Sequence, residues 1–169
     1  HRFKCCTIVR PMRVQLHAIS AVLSAGVLTF TGRTLAQTPS GLAGSWRAGS
    51  TAIEVSIESW GADCGPRPQS TRSSGGGLVS VEQREQVLLV HGRDQDIRSD
   101  ACWSRNPAMK RTNSSFQNNV WTTRCQTAKN DSRAEQGTYT LKLVGDDTLL
   151  YQDVSHYDWS LNTSKCVAT

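Results

Sequence analysis

Residues 138–152, TYTLKLVGDDTLLYQ, decide the fold class. Tyr139, Leu141 and Leu143 alternate with Thr138, Thr140 and Lys142, the period of a strand with one buried face. Gly145-Asp146-Asp147 then supplies residues that tolerate the left-handed backbone of a tight connection, and Thr148–Gln152 resumes the β-prone pattern. The stretch predicts an antiparallel hairpin with Tyr139, Leu141 and Leu143 sharing the buried face.

Working outward, Thr51–Glu58 alternates strictly, Ile53, Val55 and Ile57 against Glu54, Ser56 and Glu58, and predicts one half-buried strand. Leu78–Val81 and Val87–His91 flank the charged Glu82–Gln86 as a second hairpin with a solvated tip, and Asp96–Cys102 is a further short run. Val120–Thr127 returns to the β pattern with Trp121 and Cys125 on one face, and a last strand runs through His156–Leu161 towards Cys166. Gly61–Gly77, rich in Gly, Pro, Ser and Arg, is expected as a long mobile loop, as are the polar stretches Asn106–Asn119, with room for one helical turn, and Ala128–Gln136. About eight strands with turns at short intervals and no 3.6-residue period predict an all-β domain, a single antiparallel barrel or a sandwich.

The charge is unevenly placed. Arg2, Lys4, Arg10, Arg13 and Arg33 stand in residues 1–37 without an acidic residue, which leaves 14 Lys+Arg against 14 Asp+Glu in the rest of the 19 and 14 that the chain holds. Met12-Arg13, the apolar run Ala18–Phe30 and Thr34-Leu35-Ala36 together read as a secretory signal peptide ending near Ala36, with residues 37–169 as a secreted β domain. The run is shorter than the ~20 apolar residues of a membrane span, so no integral span is expected in the mature chain. With Met12 as the start, residues 1–11 would be an upstream extension, and the cysteines that matter would be Cys64, Cys102, Cys125 and Cys166.

In an exported domain these four read as two disulfides, since none of their spacings is CxxC. Three pairings are open. Loop length favours Cys64 with Cys102 and Cys125 with Cys166, each worth about 4 kcal/mol by chain entropy.

Little in the chain signals catalysis. His91 and His156 are the histidines of the mature part, and no nucleophile elbow, Walker motif or dinucleotide fingerprint accompanies them. In a strand, His156 and Asp158 would share one face and Ser155 the other, the wrong arrangement for a nucleophile and its base. Asp94, Asp96 and Asp100 lack the central Gly and closing Glu of a calcium loop, so no metal or other cofactor is expected. Balanced mature charge excludes clustered phosphate contacts and hence nucleic acid; Lys110-Arg111 is too small a patch for a phosphate backbone but is kept as a candidate contact. Trp60, Trp103, Trp121, Tyr157 and Trp159 are the candidates for a surface that stacks sugar rings.

Two resemblances bear on these residues. Gly44-Ser45-Trp46 is similar to the Gly-x-Trp that opens lipocalin-like barrels, which implies a Trp plugging one barrel end; the later Thr-Asp-Tyr element of that family is missing. Cys64-Gly65-Pro66-x-Pro68, Gly75–Gly77, Asp100-x-Cys102-Trp103, Trp121-x-x-Arg124-Cys125, Asp131-x-Arg133 and Cys166 together resemble an exported four-cysteine domain of uncharacterised bacterial envelope proteins. That resemblance implies an oxidised envelope β domain and transfers no catalytic residue. The expectation is a non-catalytic binding or structural module, periplasmic or extracellular, that recognises envelope glycan or protein through its long loops, Gly61–Gly77 and Trp103–Asn119. Its rivals are a carrier of a small apolar ligand, with a cavity lined by Ile53, Val55, Leu141 and Leu143, and a secreted hydrolase or protease inhibitor.

Overall fold

The computed structural model describes residues 41–92 and 95–169, together with the backbone of residues 4–9. The signal-peptide expectation falls outside these residues except at Lys4–Val9, which form strand β1 between β2 and β11.

The chain is all-β, as the alternation predicts. The remaining strands are β2 (Gly44–Ile53), β3 (Ile57–Trp60), β4 (Thr71–Ser73), β5 (Leu78–Arg84), β6 (Val87–His91), β7 (Asp96–Arg98), β8 (Lys110–Gln117), β9 (Val120–Gln126), β10 (Arg133–Val144), β11 (Thr148–Leu161) and β12 (Ser164–Ala168). One 3₁₀ turn spans Ala62–Cys64. All pairings are antiparallel, in the order β7-β6-β5-β2-β1-β11-β10-β9-β8, with β4 on β2 and with β12 carrying β3 along the far half of β11.

The sheet curls until its two ends meet, and side chains stitch them where strand pairing does not. Cys102 bonds Cys125, Thr123 Oγ1 donates to Ser99 O at 2.7 Å, Trp121 Nε1 donates to Gln86 O at 2.6 Å, and Arg111 donates to Asp100 O. The inner face holds the core: Trp46, Val81, Leu88, Val90, Trp121, Tyr139, Leu141, Leu143 and Leu149. Trp46 is fully buried and donates its indole N–H to Leu42 O at 2.9 Å. Leu141 and Leu143 pack in this closed core, while Ile53 and Val55 stand half-buried at the opposite end, so the four line no common cavity.

Several segments differ from expectation. Thr51–Glu58 is two strands: β2 starts earlier and ends at Ile53, Val55 N–H turns to Ser70 Oγ, and Ser56 pairs its backbone with Thr169 as the chain crosses to β12. The Gly61–Gly77 segment carries the 3₁₀ turn and β4, and Gly76 N–H bonds Ala48 O at 2.8 Å. Gly75 lies so close to the Ala48–Gly49 backbone that a Cβ there would overlap it. We expect Gly75→Ala to lift this segment off β2 at a cost of about 1–3 kcal/mol, read as a lower urea midpoint.

Lys110–Gln117 is a strand although it has no apolar alternation. It is an edge, exposed and polar from Lys110 to Ser115, anchored at its end by Phe116 against Trp121 and by its hairpin with β9 around Asn118 and Asn119, both at positive φ. Ala128–Gln136 is loop only as far as Ser132; β10 begins at Arg133. Likewise β11 runs unbroken through Asp153.

The cysteine pairing is corrected to Cys64–Cys166 and Cys102–Cys125. Loop length alone ignores which strands become neighbours: β12 lies on β3 with Cys166 opposite Trp60, which brings the turn bearing Cys64 to Cys166. The turn after β7 meets β9 where the sheet ends converge, which brings Cys102 to Cys125.

Candidate functional site

The β10–β11 ladder carries the site. Its inward pairs run Leu143–Leu149, Leu141–Tyr151, Tyr139–Asp153, Gly137–Ser155, Glu135–Tyr157 and Arg133–Trp159. Directly paired residues share a face, so one continuous surface passes from aliphatic core to charged and aromatic groups. The last rung continues sideways through Cys166 on β12 to Trp60 on β3.

Gly137 marks the change. Tyr139 folds back over it, and a Cβ at 137 would strike the Tyr139 hydroxyl. Held there, Tyr139 stacks on Trp103 with centroids 5.1 Å apart, and Trp103 in turn meets Tyr151 edge-on. Trp103 Nε1 donates to Arg98 O at 2.7 Å, which fixes the ring as the floor of what lies above. Gly137→Ala should push Tyr139 off Trp103 and cost about 1–3 kcal/mol, measurable by thermal melts and by loss of near-ultraviolet circular dichroism.

Above the floor is a cavity of about 490 Å³, lined among others by Trp103, Asn106, Glu135, Asp153, Tyr157 and Trp159, with Arg105 and Arg133 at its exposed rim. Glu135 is only 3% exposed. Its Oε2 accepts from Asn106 Nδ2 at 3.2 Å, while Oε1 is buried without a partner, as is Trp159 Nε1. Ser155 Oγ donates to Asp153 Oδ1 at 2.6 Å. Burial raises the Tyr139 phenol well above its ordinary value, the Asp153 and Glu135 carboxylates add to the shift, and the Ser155 hydroxyl opposes it. The phenol therefore keeps its proton beside two carboxyl groups.

Tyr157 and Trp159, T-shaped with centroids 5.6 Å apart, also line a second cleft of about 240 Å³ with Val55, Trp60, Pro66 and Pro68. The Arg133 guanidinium lies 5.7 Å from the centre of the Trp159 ring, within the range of a cation–π contact. These two rings thus stand between a polar cavity and an apolar cleft.

Of the sequence candidates, the structure brings Trp60, Trp103, Tyr157 and Trp159 to these two spaces. Trp121 is core, stacked on Phe116 at 4.6 Å. Lys110 and Arg111 are on the β8 edge and line neither space; Arg111 is paired with Asp100. Glu135 and Asp153 escaped sequence reasoning; Arg105 and Asn106 fall in the 103–119 segment expected to make contacts, while Arg133 and Ser155 were noticed in other roles. Carrying the two-residue period of Tyr139, Leu141 and Leu143 back through Gly137 to Glu135 and Arg133 would have found part of the set.

The histidines stand elsewhere. His156 points away from Ser155, Tyr157 and Trp159 by strand alternation, and its Nδ1 is 2.8 Å from Thr169 Oγ1. His91, on the outer face of β6, lies 3.1 Å from Glu82 Oε1 and 3.2 Å from Asp96 Oδ2. Its pKa is raised above the ordinary 6.5, first by the Glu82 hydrogen bond and further by Asp96, against some desolvation. A raised folded-state value means stability that is complete below 6.5 and is lost as pH climbs through the folded pKa. Wild type should therefore lose stability above pH 6.5 more steeply than His91→Gln, as shown by urea midpoints across the range. Asp96 belongs to this pair and Asp100 to Arg98 and Arg111; Asp94 lies outside the described residues. Among the described residues no group of three or more His, Cys, Asp or Glu is placed to hold a metal ion, and no helix is long and apolar enough to cross a membrane.

Compared with known proteins, the chain matches no family model, no curated protein and no solved structure, so the site is judged on its own geometry.

Proposed function

We propose that the chain is a non-catalytic binding module that holds one or two sugar residues of an envelope glycan in the cavity over Trp103. The observation that carries this is the unpartnered, buried Glu135 Oε1 lining a cavity beside Tyr157 and Trp159. A sugar ring offers an apolar C–H face to an aromatic ring and hydroxyls to the polar groups at its edge, and Asn106, Asp153, Glu135 and Arg133 stand at that edge. The volume falls in the range of about 300–1,000 Å³ usual for small-molecule sites. Two disulfides suit an oxidising compartment, which supports an exported protein of the kind that the four-cysteine resemblance implies. Recognition thus centres on strand residues at the sheet's open end, with the loop from Trp103 to Pro107 closing one side.

Titration calorimetry with N-acetylated and uronic-acid oligosaccharides tests this. Binding to wild type and at least a tenfold loss in Trp159→Ala is the expected result, about 1.4 kcal/mol or more; absence of heat with every envelope oligosaccharide would remove the proposal. Glu135 and Asp153 line one cavity, and paired carboxylates are also the minimum equipment of a glycosidase. Reducing-end assays on the same oligosaccharides distinguish the two, with intact substrate expected.

A further inference from the structure

The seam between β2 and β11 offers a second recognition surface. Among the described residues β2 and β11 make no pairs with each other; β1 separates them, with Lys4–Val9 paired to Asp153–Thr148 of β11 and Cys5–Val9 to Ala52–Arg47 of β2. Neighbouring strands lie about 4.8 Å apart, so the two walls stand about 9.6 Å from each other, with room for one strand between them. Both walls offer backbone to an incoming chain. Register positions 6 and 8 of β1 fall opposite Tyr151 and Leu149, which belong to or pack on the core, so the seat also has an apolar side.

What fills the seat is joined to β2 by a long stretch of sequence. Antiparallel neighbours are usually joined by two to five residues, whereas residues 10–43 separate β1 from β2. The composition of residues 1–36 reads as a leader removed on export. An exported chain without it would present two facing rows of unpaired N–H and C=O groups, the arrangement that binds a strand from another chain.

We propose that this seam is a strand-acceptor site. It takes six residues of extended chain antiparallel to both walls; Lys4–Val9 fill it here, and a free extended segment of a partner protein, apolar at alternate positions, fills it on the exported chain. The site itself rests on the pairing, and only the identity of its natural occupant rests on export.

The test uses the full chain carrying Thr7→Pro and Ile8→Pro. Successive N–H groups point to opposite neighbours, so the two prolines disable pairing with both walls. A fluorescein-labelled peptide of residues 2–10, with serine at positions 5 and 6, is followed by anisotropy. We expect saturable binding to the variant and binding about 100-fold weaker to wild type, whose tethered strand competes at high effective concentration. A variant that unfolds alone and regains its cooperative melt with the peptide supports the site equally. Four results overturn it: a folded variant that ignores the peptide, because β2 and β11 have closed on each other; equal binding to wild type; equal binding of a scrambled peptide; or an unfolded variant that the peptide does not rescue. None of these depends on sugar binding over Trp103.

Discussion

Replacing Cys64 and Cys166 together by serine should lower the unfolding free energy by about 4–5 kcal/mol. Closure of the loop between them, at a sequence separation of 102, is worth about 4.7 kcal/mol by chain entropy. Loss of Cys102–Cys125, at a separation of 23, should cost less, about 3.4 kcal/mol. Cys166 is also fully buried in the row between Trp60 and Trp159, so a serine there puts a hydroxyl where an apolar group packs. In a thermal scan the first pair of substitutions should lower the midpoint by about 15 °C, and by more than the second pair does. Equal losses, or a larger loss for Cys102 and Cys125, would contradict this ordering. The bond also holds β3 to β12, and so holds Trp60 at the cleft that Trp159 and Tyr157 line. Weaker sugar binding should accompany the stability loss in the first variant and be milder in the second.

Glu135→Leu should abolish binding while leaving the fold as stable as wild type or more so. A carboxyl oxygen buried without a partner is a standing cost of about 1–3 kcal/mol, which a hydrocarbon of similar size removes. The Asn106 amide loses its acceptor in this variant, which takes back part of the gain. Binding should fall at least 100-fold, about 2.7 kcal/mol, because the ligand hydroxyl that meets Oε1 would face a methyl group. A carboxylate serving only the fold would behave in the opposite way: its loss would lower the urea midpoint and leave calorimetric affinity unchanged. The pairing of lost function with kept stability is the signature of a group retained for its ligand.

Where residues alternate between core and solvent, the strands were legible without coordinates: β9, the second half of β10, the start of β11 and the β5–β6 hairpin follow the pattern of Trp121, Tyr139–Leu143 and Leu88–Val90. Lys110–Gln117 was not, because an edge strand exposed on both faces up to Ser115 has no reason to alternate, and only Phe116 and the Asn118-Asn119 turn signal it. The cystine connectivity was illegible for another reason. It is set by β12 crossing to β3 and by the two sheet ends converging, and neither leaves a trace in spacing. The aromatic half of the site was visible as residue types, Trp103, Tyr157 and Trp159. Its polar half was hidden, since Glu135 and Arg133 sit in a stretch that reads as loop and Gly137 interrupts the apolar face at the point where the strand passes from core to cavity.

The sharpest test of the cavity over Trp103 is a titration of the oxidised, isotope-labelled chain with an N-acetylated tetrasaccharide, followed through the indole N–H resonances of its tryptophans. The Trp159 resonance, whose N–H has no partner in the free protein, should shift progressively and saturate, with smaller movement at Trp103 and none at the core rings Trp46 and Trp121. A saturating titration in which Trp159 stays fixed while signals of the β8 edge or of residues 65–77 move would contradict a sugar site at the β10–β11 ladder.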